Sequence, residues 1–279
     1  MTHRLILRLL ATLALAAGLF IHTYAAVAAP QNGNTPAPQL LKEAAANYAR
    51  KDYAGAARLY SQLLDSQQEA ISNDEVDHQT LADIHFNLGN CHYRLKNLPQ
   101  AVLHFQRALR YQPGDEDAAF NLELVQSKLS DRFETPSEMF FISWARTFIH
   151  SRSAASWLFI SFMTLLFALV FALVYFFASA IRMRKIGFFA AALLLLTSII
   201  SGTFSAIQRK AFNDCPQMVV MKATTAYSTP ATTSRQIRQL HEGTTVSKVN
   251  DNGAKWLQVE MPDGAVAWIT ADAVQAVRP

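Results

Sequence analysis

Three histidines, His85, His92 and His104, fall within one twenty-residue stretch. Imidazole is a common ligand of zinc and related metals, so the cluster invites a metal reading. No carboxylate accompanies these histidines at ligand spacing. Histidines on packed helices are commonly satisfied by local hydrogen bonds. The sequence therefore predicts no metal and no cofactor. A Walker phosphate loop, HExxH, GxSxG, CxxC and a dinucleotide fingerprint are all absent. Paired catalytic carboxylates cannot be picked from one sequence. The expectation is a protein that is not an enzyme, and the chemistry left to it is recognition.

Recognition residues need elements to carry them, and an internal repeat supplies the first set. "FNLG" at Phe86–Gly89 recurs as "FNLE" at Phe120–Glu123, 34 residues later, and Leu95 and Leu129 share the offset. That period, with "HFNLGNCHYRLKNLPQAVLHFQRALRYQP", resembles the tetratricopeptide family. Leu88 and Gly89 fall on first-helix packing positions, Ala101, Phe105 and Ala108 on second-helix positions, and Pro113 closes the unit. Small residues let two antiparallel helices approach while Phe105 fills the gap. A degenerate copy lies 45 residues upstream, with Tyr48, Tyr53, Ala56 and Tyr60 in matching roles, so "DSQQEAISNDEVD" holds an insertion. Residues 116–129 read as a solitary capping helix. The array spans 40–135. The resemblance implies an inner face that binds extended peptides or partner helices. Carried over by position, it presents Phe86, Asn90, Tyr93 and Arg94. The alternative is that these residues pack on the insertion or the capping helix.

The tail from 216 to 279 has short alternating strands and an Asp263-Gly264 hairpin signal. Tyr227 to Pro230, Gly243, "KWLQV" around Trp256 and "DGAVAWI" ending at Trp268 resemble bacterial SH3 domains. Ala267 stands where that family usually has Gly. The resemblance implies a small all-β barrel, and Tyr227, Trp256 and Trp268 either line a peptide groove or pack in its core.

Residues 157–181 and 186–207 contain no charged side chain. Each run is long enough to cross a hydrocarbon core of about 30 Å as a helix. Arg182, Arg184 and Lys185 between them leave room for a tight turn at 182–185. Short basic loops stay cytoplasmic, so the runs form a hairpin with both outer ends on the far side. "MTHRLILRLLATLALAAGLFIHTYAAVAAP" has the three-part pattern of an export signal, with cleavage after Ala28; an uncleaved anchor exports the downstream residues equally. Residues 29–39 read as a flexible tether. Ser198, Gly202 and Ala206 recur every fourth residue and share a helix face that packs within the hairpin or on a partner's membrane helix. The connector 136–156 has Phe140, Trp144 and Phe148 at helical spacing, among Arg146, His150 and Arg152. It suits a helix at the bilayer interface or one buried under the repeats.

The formal net charge is +4. Between 136 and 212 there are seven Lys or Arg residues against Glu138 alone, so the excess belongs to membrane flanks and does not imply nucleic-acid binding. An exported compartment permits disulfides, but Cys91 and Cys215 fall in different modules. The order of signal, repeats, hairpin and SH3-like tail resembles BatE-type proteins of the Bacteroides aerotolerance operon. That resemblance implies an inner-membrane, two-span adaptor with both soluble modules periplasmic. It would work with von Willebrand factor A-type Bat membrane proteins and, indirectly, a MoxR-type AAA ATPase. The alternative is an envelope protein whose SH3-like domain binds peptidoglycan.

Overall fold

The computed structural model describes residues 36–66, 77–133, 140–251, 253 and 255–278. The export signal at 1–28, the tether up to residue 35 and most of the expected insertion lie outside the described residues. The chain divides into two compact units, one holding 152–209 and the other 35–151 with 210–279.

The second unit begins with helices α1 (Pro36–Ala49), α2 (Tyr53–Ser66), α3 (His78–Arg94), α4 (Leu98–Tyr111) and α5 (Glu116–Gln126). α1 starts inside the expected tether of 29–39. Pro36 has its φ pre-set for a first helical turn, and Ala44 anchors the helix in the core. Each helix packs on the next, α1 on α2 through to α4 on α5, and α3 also meets α5. Short polar residues start the later helices. Asp77, Asn97 and Asp115 accept from the backbone N–H of Thr80, Gln100 and Ala118.

The α3–α4 pair closes where the sequence is small. A Cβ on Gly89 would lie 2.7 Å from two ring carbons of Phe105, so only glycine lets that ring seat against α3. Ala44, Ala56 and Tyr60 are buried in the α1–α2 pair at the positions of Gly89, Ala101 and Phe105. Lys51 (φ 67°) and Lys96 (φ 60°) are both left-handed just after α1 and α3. The degenerate copy thus folds as the same helical hairpin. On α5, Glu123 occupies the position of Gly89, and Phe120 is 66% exposed. A carboxylate where a second helix would need close approach ends the array there.

Seven strands follow: β1 (Gln217–Val220), β2 (Thr224–Tyr227), β3 (Gln236–Leu240), β4 (Thr245–Asp251), β5 (Trp256–Glu260), β6 (Val266–Thr270) and β7 (Val274–Ala276). They form an antiparallel sheet in the order β3-β2-β6-β5-β4-β1-β7. Gly264, at φ +83°, supplies the left-handed residue of the tight β5–β6 turn, and its N–H donates to Met261 O. Val220, Ala226, Leu240, Val246, Val259, Ala267 and Ile269 fill one core. Ala267 points into it.

Array and sheet are not separate modules. Val219 and Val277 share a buried cluster with Ala101, Val102, Leu103, Phe105 and Val125. α4 is therefore buried on both sides, by α3 and α5 on one and by the sheet on the other. Gln106 donates to Thr245 Oγ1 at 2.7 Å, and Arg107 donates to the carbonyls of Val277 (3.1 Å) and Ala276 (3.0 Å). Past α5, Asp131 clasps the turn after β3. It accepts from His241 N (2.7 Å) and Thr244 Oγ1 (2.6 Å) and pairs with His241 Nδ1. Burial alone would raise its carboxyl, but these hydrogen bonds outweigh that and hold it below the usual range. Phe133 then packs on the sheet core. α6 (Phe140–His150) completes this unit and exposes Phe141 and Trp144, so it is not buried under the repeats.

The other unit holds α7 (Ala154–Phe177) and nearly all of α8 (Ile181–Asn213), both long and apolar enough to cross a membrane. They pack as an antiparallel hairpin. Its turn lies at Ala178–Ala180 rather than at 182–185; Arg182 and Arg184 occupy the first turn of α8 and Lys185 opens the second. Arg184 explains the shift: its Nε donates to Tyr175 O at 3.2 Å, satisfying a carbonyl at the end of α7. A Cβ on Gly187 would lie 2.9 Å from Phe171 O and Tyr175 N, which is the closest backbone approach of the pair among its two glycines. α8 also runs past the expected end at 207 to Asn213.

Candidate functional site

The four residues carried on α3 do not share one environment. Phe86 turns toward α4, with its ring 6.0 Å from Phe105, and is a packing residue. Asn90 and Tyr93 reach α5. Asn121 Nδ2 donates to Asn90 Oδ1 at 3.1 Å, and Lys128 Nζ donates to Tyr93 Oη at 2.5 Å while lying 4.8 Å from its ring centre. Arg94 faces the other way, its guanidinium 5.9 Å from the Tyr53 ring. Asn90 and Tyr93 thus meet the capping helix, yet both stay half-buried, and Arg94 and Lys128 are exposed. The result is a polar, cationic surface running from Tyr53 across α3 to Lys128. Asn121 and Lys128 were not foreseen. The 34-residue offset that relates "FNLG" to "FNLE" also maps Asn87 onto Asn121 and Arg94 onto Lys128. The repeat therefore held the signal.

The sheet gathers its three aromatic residues. Tyr227 pairs with Trp268 across β2 and β6, and Trp268 pairs with Gln258 across β6 and β5. The Tyr227 ring stands edge-on to Trp256 at 5.7 Å. Trp256 is buried, whereas Tyr227 and Trp268 are half-buried. Trp256 is thus a floor beneath the edge of Tyr227, and Trp268 lies beside Tyr227 on the neighbouring strand.

The histidines form a row inside the array. His85 Nδ1 lies 3.1 Å from His104 Nδ1, and the His92 ring stacks on His104 with centres 5.3 Å apart. Burial, with help from Arg107 and Arg110, pushes His85 down to about 3; burial, with help from His85, Arg107 and His92, holds His104 well below the ordinary range. Burial also lowers His92. At neutral pH these rings are uncharged, so across the 3.1 Å contact one Nδ1 donates and the other accepts. Among the described residues no group of three His, Cys, Asp or Glu is placed to hold a metal ion. Cys91 is buried, Cys215 is half-buried and both are free.

The small face of α8 is divided. Ser198 is buried against α7, where its hydroxyl donates to Ser161 O at 2.8 Å and Ser161 Oγ donates to Ser198 O at 2.8 Å. A Cβ on Gly202 would meet Ser161 Oγ at 3.2 Å. Ala206 is exposed, and Ser201, Ser205 and Gln208 continue the buried seam in its place.

These features define a helical-repeat protein with two apolar helices and an antiparallel sheet. The tetratricopeptide repeat family model matches residues 82–115, which are α3, α4 and the turn into α5. No curated protein and no solved structure matches the chain. The repeat supports a role in protein–protein interaction.

Proposed function

We propose that the chain is a non-enzymatic, membrane-tethered adaptor. Its α7–α8 hairpin sits in the inner membrane with Arg182–Lys185 toward the cytoplasm. The array and an SH3-like sheet stand together on the exported side. The observation that carries the reading is the burial of α4 between α3, α5 and the sheet. Closing that side leaves the α3–α5 surface, with Asn90, Tyr93 and Lys128 and with Arg94 at its edge toward α2, open to a partner. A joined unit of this kind presents the array and the sheet to a partner together. The partner is a protein, and the resemblance to BatE-type chains favours a von Willebrand factor A-type Bat membrane protein, with a MoxR-type ATPase acting indirectly. Cysteines placed at Met183 and at Asp263 test the tethering. A membrane-impermeant thiol reagent should label the second and not the first in spheroplasts, and strong labelling at Met183 overturns the arrangement.

The Tyr227–Trp268–Gln258 row supports a second reading, in which the sheet binds peptidoglycan through its aromatic faces and an amide. Retention on purified wall sacculi, lost in Trp268→Ala, would favour it over the adaptor.

A further inference from the structure

The aromatic stripe of α6 is the feature that protein recognition leaves unused. Phe141 and Trp144 are 61% and 62% exposed, and the Phe148 ring stacks on Trp144 at 5.8 Å. Spacings of three and four put the three rings on one side of the helix. Only Ser151, Arg152 and Ser153 separate α6 from α7. At about 3.6 Å per residue at most, His150 stays within about 14 Å of Ala154 whatever path the chain takes. α7 begins its uncharged run at Trp157. The headgroup layer outside the hydrocarbon is about 5–7 Å thick on each side. Trp144 and Phe141 lie about 9 and 14 Å further along the helix, so a helix lying along the surface holds the rings at that layer. Trp is the residue whose apolar body and N–H suit such a boundary. Exposed Arg152 beside the stripe suits anionic headgroups.

Resting on the membrane reading above, we propose that the Phe141–Trp144 face of α6 seats in the headgroup–acyl boundary of the bilayer that α7 and α8 cross. The occupant is lipid, favoured over protein because the stripe is leashed to an apolar span by three residues. The contact gives the soluble unit a second attachment and restricts its swing about the tether.

The test uses the full chain in liposomes containing anionic lipid, with Cys215→Ser so that buried Cys91 is the one native thiol. A polarity-sensitive fluorophore is placed in turn at Phe141→Cys, Trp144→Cys, Leu165→Cys in α7 and Asp263→Cys in the β5–β6 turn. Lipids carry a nitroxide quencher either near the headgroup or deep in the chain. Positions 141 and 144 should lose emission to the shallow quencher more than to the deep one, 165 the reverse, and 263 to neither. Quenching at 165 with none at 141 or 144 overturns the proposal while leaving the membrane reading intact. Energy transfer between copies labelled at 144, without quenching, assigns the face to a second copy and also overturns it. No quenching at 165 removes the membrane reading, and the proposal falls with it.

Discussion

Acid should loosen the helical array, and the histidine row sets both the sign and the scale. His85 is buried beside Arg107 and Arg110, and its nitrogen faces that of His104. In the fold it titrates near 3, against about 6.5 in an unfolded chain. Between those values the unfolded chain binds more protons than the folded one. Stability is then fully present above about pH 6.5 and falls as pH drops toward 3. From pH 7 to pH 5 the loss from His85 alone is about 2 kcal/mol. His104 and His92 are lowered for the same reason and add in the same direction. Cys91 reports the opening directly, since it is buried in the α1–α2–α3 core. In full-length Cys215→Ser protein in detergent, its labelling rate, normalised to the unfolded chain at each pH, should rise at least tenfold between pH 7 and pH 5, as about 1.4 kcal/mol or more requires. His85→Phe should reduce that rise, leaving the share of His104 and His92. Normalised labelling that does not change across this range would refute the reasoning, because it would mean the row is charged or solvated in the fold.

Gly89→Ala should destabilise the array by about 1–3 kcal/mol, because its Cβ would overlap the Phe105 ring; thermal melting of the helical signal reads it. Arg107→Met removes two hydrogen bonds to the last strand, so protease nicking near Val277 should quicken while Cys91 stays protected. Gly187→Leu places side-chain carbon against the backbone of Phe171 and Tyr175, and should abolish a disulfide engineered between positions 161 and 198 without preventing insertion.

Local spacing made the repeat legible. Gly89 and Phe105 are an approach site and its filler, Ala44 and Tyr60 repeat them 45 residues earlier, and Asp263-Gly264 announces its turn. These signals lie within one or two elements, where pattern and geometry are tied. The docking of array on sheet was not legible. It depends on Arg107 meeting Ala276 and Val277, about 170 residues away in sequence. A surface-like Gln106-Arg107 pair on a second repeat helix gives no hint that it is covered. The hairpin turn was misplaced because charge marks a membrane boundary but not where a helix breaks. Arg184 can cap α7 from inside the first turn of α8. At the site, Asn90 and Tyr93 were readable as polar positions on α3, but their partners Asn121 and Lys128 needed the repeat offset carried one helix further.

The adaptor account stands or falls on the α3–α5 surface. A photo-crosslinking side chain at Arg94, in the full chain in intact cells, should yield one discrete protein adduct. Tyr93→Ala and Asn90→Ala should each remove most of it while Cys91 remains protected. An adduct that persists unchanged in both variants, or no adduct from Arg94 while Asp263 captures the same protein, would contradict the claim that this face holds the partner.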